Sequence, residues 1–191
     1  MSMGQKVRKR TTFALISTFR ILDLANMQPD SLLKGLSRET TLRRDASGRW
    51  FYEGAPIEHP NIIRAFDRWI DRAEDGRYCL KNEFDWVYVT IEGAPLFVRS
   101  LKIHTSGTIT LSLSDSRDYA LDPDTLRQGP DGVLYCDVRD RTMAARFDSS
   151  AMMQLEDLID EDEEGIYLLI GGRAIRPKTV ANPLELDCDE T

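Results

Sequence analysis

Residues 48–80 constrain the fold most, because they combine a short strand, a glycine-proline turn, an amphipathic helix and a return strand. Within the helix, Ile62, Phe66 and Trp69 recur at intervals of three and four residues, the spacing of one helical face. We therefore predict a helix over residues 60–73, with Phe66 and Trp69 in the core. The charged residues on its opposite side are Arg64, Asp67, Arg68, Asp71 and Arg72.

A looser copy of the same plan covers residues 132–169. The matched segments are residues 74–80 with 163–169 and residues 48–52 with 132–136. The first pair shares Glu, Gly, Tyr and Leu at identical positions, and each copy places a helix between its two matches. The second helix is predicted over residues 149–159, with Asp148 or Ser149 as its cap. This common order of elements predicts an internal duplication.

The chain between the copies is typical of antiparallel strands. Apolar residues occur on both faces of residues 84–91, and residues 96–103 follow after a Gly-Ala-Pro turn. Residues 109–113 alternate strictly between apolar and polar side chains. The short turns predict a three-stranded meander, and the polar segment 114–132 predicts a soft boundary after it.

These patterns predict an α+β fold of two antiparallel-sheet units, each with one helix, related by internal duplication. Residues 1–41 are predicted to form an N-terminal arm and helices that pack on these units. The first α+β half is residues 42–113, and the second is residues 114–177. Residues 178–191 are predicted to be an acidic C-terminal tail.

Charge and hydrophobicity exclude several classes of protein. The formal net charge of -7 argues against a protein that binds nucleic acid polymers. The chain contains no apolar run near the roughly 18 residues that span a bilayer, so no membrane insertion is expected. Cys79, Cys136 and Cys188 are odd in number and widely spaced, which favours reduced thiols in the cytoplasm.

The residues that usually carry catalysis are sparse. His59 and His104 are the two histidines, and no metal-binding spacing of His or Cys includes them. His59 precedes a proline at a helix start, which favours a capping role over catalysis. Without a nucleophile-base pair, a metal cluster or a phosphate loop, we expect no enzyme activity, no metal and no cofactor.

Arginines beside aromatic residues are the remaining signal. Planar guanidinium groups suit phosphate or carboxylate, and aromatic faces suit a flat ring. The candidates are Arg49 with Trp50 and Tyr52, Arg99 beside Phe97, and Arg139, Arg141 and Arg146. The alternative is that these arginines only form the solvated face of their strands.

One arrangement would make these residues a site. In it, a groove between the halves has Trp50 and Tyr52 on one wall and Arg139 and Arg146 on the other, because ligands often bind where two rigid units meet. The alternative is that the aromatic residues fill the interface between the halves. The arginines would then pair with Asp140 and Asp148.

Three segments resemble a known family. They are residues 48–57, the Asp-Gly-Arg-Tyr at 75–78 and the Ile-Glu-Gly-Ala-Pro-Leu at 91–96. Together with residues 138–146 they resemble the bacterial domain-of-unknown-function family 1285, over residues 42–177. The resemblance implies a duplicated α+β core, a second half superficially like a pleckstrin-homology fold, and a nucleotide-like ligand at the domain interface in signal transduction.

The family pattern is transferred only where residues match it. Trp50, Gly54, Pro56, Arg139 and Arg146 match. The family's asparagine after the third meander strand has no counterpart in Ser112-Leu113-Ser114-Asp115, so its contact is not transferred.

We therefore predict a non-catalytic, cytoplasmic module that binds a nucleotide-like or other anionic small molecule in signal transduction. The predicted ligand-binding residues are Trp50, Tyr52, Gly54, Pro56, Arg99, Arg139 and Arg146. The alternative is a protein-protein interaction adaptor with a flat apolar patch and a protein partner. The sequence makes no prediction of oligomeric state.

Overall fold

The structure is a computed structural model that describes residues 38–83 and 85–186. The predicted N-terminal arm and helices up to residue 37, and Cys188, lie outside the described residues. In the described part, two helices accompany many short strands. Helix α1 is Pro60–Trp69 and helix α2 is Ser149–Leu155, with 3-10 turns at Pro123–Thr125 and Glu156–Leu158.

The strands fall into three groups along the chain. The first group is β1 (Arg43–Arg44), β2 (Trp50–Tyr52), β3 (Ala55–Pro56), β4 (Ile70–Arg72), β5 (Tyr78–Lys81), β6 (Trp86–Tyr88) and β7 (Thr90–Ile91). The middle group is β8 (Leu96–Ile103), β9 (Ile109–Leu113) and β10 (Asp118–Ala120). The last group is β11 (Arg127–Gln128), β12 (Leu134–Val138), β13 (Met143–Phe147), β14 (Ile159–Asp162), β15 (Gly165–Ile170), β16 (Arg173–Ile175) and β17 (Lys178–Thr179).

Within residues 38–83 and 85–186 the strands form four sheets. A four-stranded sheet has the order β3-β2-β1-β7, and a large seven-stranded sheet has the order β10-β9-β8-β13-β12-β11-β17. The first small sheet is β4-β5-β6, and the second small sheet is β14-β15-β16. The α+β class is confirmed. The prediction of two purely antiparallel sheets is wrong, because β1-β7, β8-β13 and β11-β17 are parallel pairs.

The predicted meander is shifted along the chain. Strand β7 pairs with β1, and β8 pairs with β9 and β13, so a hairpin between residues 84–91 and 96–103 is wrong. The turn before β8 moves the chain from the four-stranded sheet to the large sheet. The antiparallel run is instead β8-β9-β10. The boundary predicted between residues 113 and 114 falls inside this run.

Both helices are shorter than predicted, for the same reason. Helix α1 ends at Trp69, and Ile70 takes the extended conformation (φ -55°, ψ 126°) to pair with Leu80. Helix α2 passes through a 3-10 turn into β14 in the same way. Gly76 and Gly165 lie at the turns of the hairpins that follow the two helices. Apolar spacing alone did not separate the end of each helix from the strand that follows it.

The caps and the core agree better with the sequence. The His59 imidazole accepts a hydrogen bond from the Asn61 amide, and the Asp148 carboxylate caps α2. Phe66 is buried as predicted, whereas Trp69 is only half-buried at the edge of the core. Asp67, predicted to face solvent, is only 2% exposed.

Two further predictions concern the cysteines and the tail. Cys79 and Cys136 are buried free thiols, as expected, and burial raises the pKa of each. Residues 178–179, predicted to begin the tail, instead form β17 in parallel with β11. The Arg127 side chain also donates to the Pro183 carbonyl at 2.8 Å, which holds this segment on the large sheet.

Candidate functional site

A buried ion pair occupies the place where the sequence suggested a ligand wall. Arg44 on β1 is fully buried, and its guanidinium donates to the Asp67 carboxylate at 3.1 Å and to the Pro95 carbonyl. The Trp50 indole N–H donates to the same carboxylate at 2.7 Å. Burial lowers the pKa of Arg44 and raises that of Asp67, and their mutual attraction opposes both shifts.

This arrangement gives Trp50 a structural role. The ring is 1% exposed and packs edge-on against Phe66 with 5.3 Å between ring centroids. Its polar N–H already has a partner, as a buried indole requires. Arg44 was absent from the predicted site, because its position in a polar segment resembled a turn. The burial of Arg44 follows from long-range pairing of β1 with β2 and β7.

Arg139 caps the C-terminal end of α1. Its guanidinium donates to the Ile70 and Asp67 carbonyls, to the Asp115 carboxylate at 2.9 Å and to the Tyr119 hydroxyl at 3.4 Å. A cation at a helix C-terminus satisfies free carbonyls and complements the helix dipole. Burial alone would lower the pKa of Arg139, but the hydrogen bonds to Asp115 and Tyr119 raise it.

The turn that carries Arg139 is strained. Arg139, Asp140 and Arg141 have φ values of 52°, 54° and 62°, a left-handed conformation that costs non-glycine residues roughly 1–2 kcal/mol each. The contacts of Arg139 with α1 and β10 help to hold this turn. In the structure it therefore joins the large sheet to the first small sheet.

The other two predicted arginines lie elsewhere. Arg146 on β13 pairs with Asp131 at 3.2 Å and donates to the Tyr135 hydroxyl. Arg99 on β8 is half-exposed and pairs with Asp148 at 3.3 Å. The predicted alternative pairing of Arg139 and Arg146 with Asp140 and Asp148 is wrong in its partners. Each arginine nevertheless has a carboxylate partner.

The remaining predicted residues are at the β2-β3 turn. Tyr52 is half-buried and packs against the core, whereas Gly54 and Pro56 are exposed. Trp50 and Arg139 both bond Asp67, one through its side chain and the other through its carbonyl. The structure thus links these two predicted residues through α1. Neither of them forms a hydrogen bond, ion pair or ring contact with the described residues Arg146 and Arg99.

A stack of arginine and aromatic side chains covers the outer face of the first small sheet. The Arg38 guanidinium lies 4.2 Å from the Trp86 ring centre, and Trp86 meets Tyr88 edge-to-face at 4.8 Å. The Arg77 guanidinium lies 3.3 Å from the Tyr88 ring centre. The alternation of Trp86 and Tyr88 was the available sequence signal. The two arginines come from separate segments, so their positions required the structure.

A hollow of about 100 Å³ lies beside this stack. Its lining residues are Glu39, Thr40, Arg77, Tyr78, Tyr88, Val89 and Thr90. Arg77 pairs with Glu39 at 2.7 Å and with Asp75 at 2.9 Å. Hydrogen bonds from Arg77 and Tyr88 lower the pKa of Asp75 to about 2. The hollow is far smaller than the roughly 300–1,000 Å³ of typical ligand pockets.

The second small sheet exposes apolar side chains instead. Leu169 on β15 is 50% exposed, and the residue directly across from it on β16 is Ala174. On the opposite face of the same hairpin, Ile166 is 55% and Ile159 37% exposed. The corresponding hairpin of the first small sheet has no exposed large apolar residue in its described part. The second small sheet therefore exposes apolar side chains on both of its faces.

The described residues carry neither a metal-site cluster nor a membrane-spanning helix. In residues 38–83 and 85–186, no three His, Cys, Asp or Glu side chains are grouped to hold a metal ion. No helix in that part of the chain is long and apolar enough to cross a membrane.

Comparison with known proteins identifies the fold. No protein-family model and no curated protein matches the sequence. A DUF1285 family protein from Silicibacter pomeroyi matches with a TM-score of 0.63 and 22% identity, over 87% of this chain and 95% of that one. Another, from Shewanella baltica, matches with a TM-score of 0.52 and 18% identity, over 63% of this chain and 94% of that one. The resemblance to this family is thus confirmed at the level of the fold, which this chain shares with both DUF1285 family proteins.

Proposed function

We propose that the chain is a non-catalytic protein-interaction adaptor, built from two copies of one α+β unit, that binds its partner through the second small sheet. The observation that carries this proposal is the contrast between the outer faces of the two small sheets. Cys79 on the first is 1% exposed, whereas Leu169 on the second is 50% exposed.

The order of strands supports the two copies. In residues 43–91, β2 joins β1 and β3 in antiparallel pairs, and β1 is parallel to β7. In residues 127–179, β12 joins β11 and β13 in antiparallel pairs, and β11 is parallel to β17. Each unit then has one helix followed by a three-stranded antiparallel small sheet. Strands β8-β10 connect the units and extend the second unit's sheet.

Backbone hydrogen bonds support the same correspondence. Gly48 donates to the Asp45 carbonyl, and Gly132 donates to the Gly129 carbonyl, at the turn that follows the first strand of each unit. Both glycines are left-handed, with φ values of 83° and 76°. After the small sheets, Glu92 donates to the Arg44 carbonyl and Val180 to the Gln128 carbonyl. The likeness of the second unit to a pleckstrin-homology fold stays a prediction.

Exposed apolar area supports a partner surface. Large exposed apolar side chains are one feature of surfaces that contact another protein. On the outer face of the second small sheet this residue is Leu169, since Ile166 and Ile159 lie on the opposite face. In the first unit, Tyr88 lies directly across from Cys79 and is itself covered by Arg77. In the second unit, Ala174 is too small to cover Leu169 in the same way. A partner side chain can take the place that Tyr88 occupies in the first unit.

A small anionic ligand is the second candidate function. The Arg77–Tyr88 hollow favours it, because a guanidinium stacked on a ring is a common anion-recognition element. The hollow suits a small anion better than a nucleotide, given its volume of about 100 Å³. Glu39 and Asp75 already pair with Arg77, so such a ligand must displace one of them. A cytoplasmic role in signal transduction stays a prediction.

Affinity capture with a single surface change tests the adaptor. The full chain is immobilised as wild type, as Leu169→Asp and as Ile103→Asp, and retained proteins are identified by mass spectrometry. Ile103 is a matched control, because it is 46% exposed on a different sheet. We expect a specific partner to be retained by the wild type and by Ile103→Asp but lost with Leu169→Asp.

The partner is then purified and its Kd measured by calorimetry. A charge buried in an apolar contact should weaken binding by at least about tenfold. Equal binding by Leu169→Asp and the wild type contradicts the proposed surface. Loss of binding by both variants contradicts it as well, because Ile103 lies outside the second small sheet.

A further inference from the structure

The hollow beside Arg77 and Tyr88 lies where the first small sheet meets the four-stranded sheet. Residues 38–42 run along residues 88–90, because the Tyr88 amide donates to the carbonyl of the first residue of this segment and the Thr90 amide to the carbonyl of the last. The hollow is lined from this segment and from the chain between β5 and β7. Backbone hydrogen bonds thus fix its walls, and the hollow is one defined cavity.

Opposite charges lie side by side in this hollow. The Arg77 guanidinium is 2.7 Å from the Glu39 carboxylate and 2.9 Å from the Asp75 carboxylate. Asp75 also accepts a hydrogen bond from the Tyr88 hydroxyl at 2.8 Å, so Glu39 is the more easily displaced partner. Arg77 and Glu39 are 51% and 61% exposed. Ion pairs this exposed contribute little to stability, so a ligand can open the Glu39–Arg77 pair without disturbing the fold.

The net charge of this group discriminates between classes of ligand. One guanidinium and two carboxylates give the group one excess negative charge, and the whole chain carries a formal net charge of -7. A simple anion is therefore repelled, and its entry leaves the Glu39 carboxylate without its cation. A simple cation that pairs with Glu39 is repelled by Arg77. A molecule with both charges avoids both penalties, because its carboxylate can bind Arg77 while its ammonium group binds Glu39.

We propose that the hollow binds the zwitterion of a small α-amino acid, with Arg77 on its carboxylate and Glu39 on its ammonium group. The buried Val89 and the Tyr88 ring in the lining suit the α-carbon and a short side chain. The volume of about 100 Å³ equals roughly three water molecules at ~30 Å³ each, which limits the ligand to the smallest amino acids, glycine and alanine. This site goes beyond the adaptor, since it uses neither Leu169 nor the second small sheet, and it narrows the second candidate function from an anion to a zwitterion.

Titration of the full chain, followed by NMR of its backbone amides, tests this site. Glycine, L-alanine, acetate and methylammonium are added separately at low ionic strength, because salt screens exposed ion pairs. We expect glycine and L-alanine to shift the amides of residues 77–78 and 88–90 with a Kd on the order of 1 mM. Acetate and methylammonium each carry one of the two charges and should bind at least about tenfold more weakly.

Charge variants identify which side chain holds each end of the ligand. Arg77→Met should abolish binding of L-alanine. Glu39→Gln should weaken L-alanine by at least about tenfold and strengthen acetate, because one carboxylate no longer competes for Arg77 or repels an anion. Asp85→Asn is the matched control, because Asp85 pairs with Arg38 at 2.9 Å on the same sheet outside the hollow. This control should bind L-alanine like the wild type.

Four outcomes would overturn the zwitterion site. Equal binding of acetate and L-alanine by the wild type overturns it and leaves the anionic candidate standing. Equal binding of methylammonium overturns it in favour of a cation site. The proposal also fails if L-alanine shifts no amides of the lining, or if Glu39→Gln and Asp85→Asn weaken binding equally. None of these outcomes bears on the adaptor, which is tested separately at Leu169.

Discussion

The two small sheets have the same strand order but opposite surfaces. On the first, Tyr88 lies across from Cys79, meets Trp86 edge-to-face and is covered by the Arg77 guanidinium. On the second, Ala174 lies across from Leu169 and leaves it half-exposed. One unit completes its outer face with its own side chains. The other presents the same backbone with an apolar surface that a second molecule or segment can cover.

The inner faces of the two hairpins also differ, and again the side chains of the first unit cover each other while those of the second do not. Arg72 on β4 pairs across the strands with Tyr78, stacks on its ring at 4.7 Å and donates to its hydroxyl at 3.0 Å. In the second hairpin Glu161 lies across from Ile166. A carboxylate and an isoleucine make no comparable contact, so Ile166 stays exposed. In both hairpins, the residue across the strand pair decides whether an apolar side chain is covered or exposed.

The largest expected effect comes from breaking the anchor of the first unit. Arg44→Met removes the partner of Asp67, and a buried carboxylate without its cation destabilises a protein by about 3–5 kcal/mol. Denaturant unfolding should show this loss in the free energy of unfolding. Hydrogen exchange should rise more in residues 70–88 than in residues 159–175. This would show that the two units are anchored separately.

Arg43→Met is the matched control at the neighbouring position. Arg43 pairs with Glu92 at the surface, where the side chains are 38% and 45% exposed. Loss of such a pair costs at most about 1 kcal/mol. If the two substitutions destabilise equally, the Arg44–Asp67 pair does not anchor the first unit.

Elements with local signals were predictable from the sequence, and those that depend on distant pairing were not. The caps His59 and Asp148 and the burial of Phe66 followed from local chemistry. The parallel pairing of β8 with β13 joins residues far apart in sequence, and no short-range pattern encodes it.

In the candidate site, too, contacts between residues far apart in sequence could not be predicted. Trp50 and Arg139, two of the predicted ligand-binding residues, both bond Asp67 of α1. Their interpretation as ligand walls stays a prediction. Nothing in the local sequence indicated that Arg44 would be buried or that Arg139 would reach the end of α1. The exposed Leu169 was equally hidden, because exposure depends on the size of Ala174 across the sheet.

The next effect concerns how the second small sheet is held. Gly107, at the tip of the β8-β9 hairpin, has φ +82°, and a Cβ there would overlap the backbone of Gly171 at the tip of the β15-β16 hairpin. Gly76, in the first unit's hairpin, has φ +81° with open space around it. Both glycines have nearly the same left-handed φ. Comparing Gly107→Ala with Gly76→Ala therefore separates the cost of the steric overlap from the cost of the backbone conformation.

We expect Gly76→Ala to cost about 1–2 kcal/mol from the left-handed conformation alone. Gly107→Ala should cost about 1–3 kcal/mol more, because the two hairpin tips must separate. Thermal unfolding monitored by circular dichroism gives both values. Equal destabilisation would mean that the Gly107–Gly171 contact does not hold the second small sheet to the large sheet.

The smallest expected effect on stability tests the cover of the first small sheet directly. Tyr88→Ala removes the ring that lies across from Cys79 and makes this face resemble that of Leu169 and Ala174. The Cys79 thiol should then react with a disulfide reagent at least about tenfold faster, because access to a buried thiol limits its reaction. Cys136, fully buried in the large sheet, is the internal control, with Cys188→Ser as the background for all measurements. Faster reaction of both thiols would indicate global loosening, and unchanged reaction of Cys79 would show that Tyr88 does not cover it. Selective reaction of Cys79 would establish that a single cross-strand residue separates the closed face of one unit from the open face of the other.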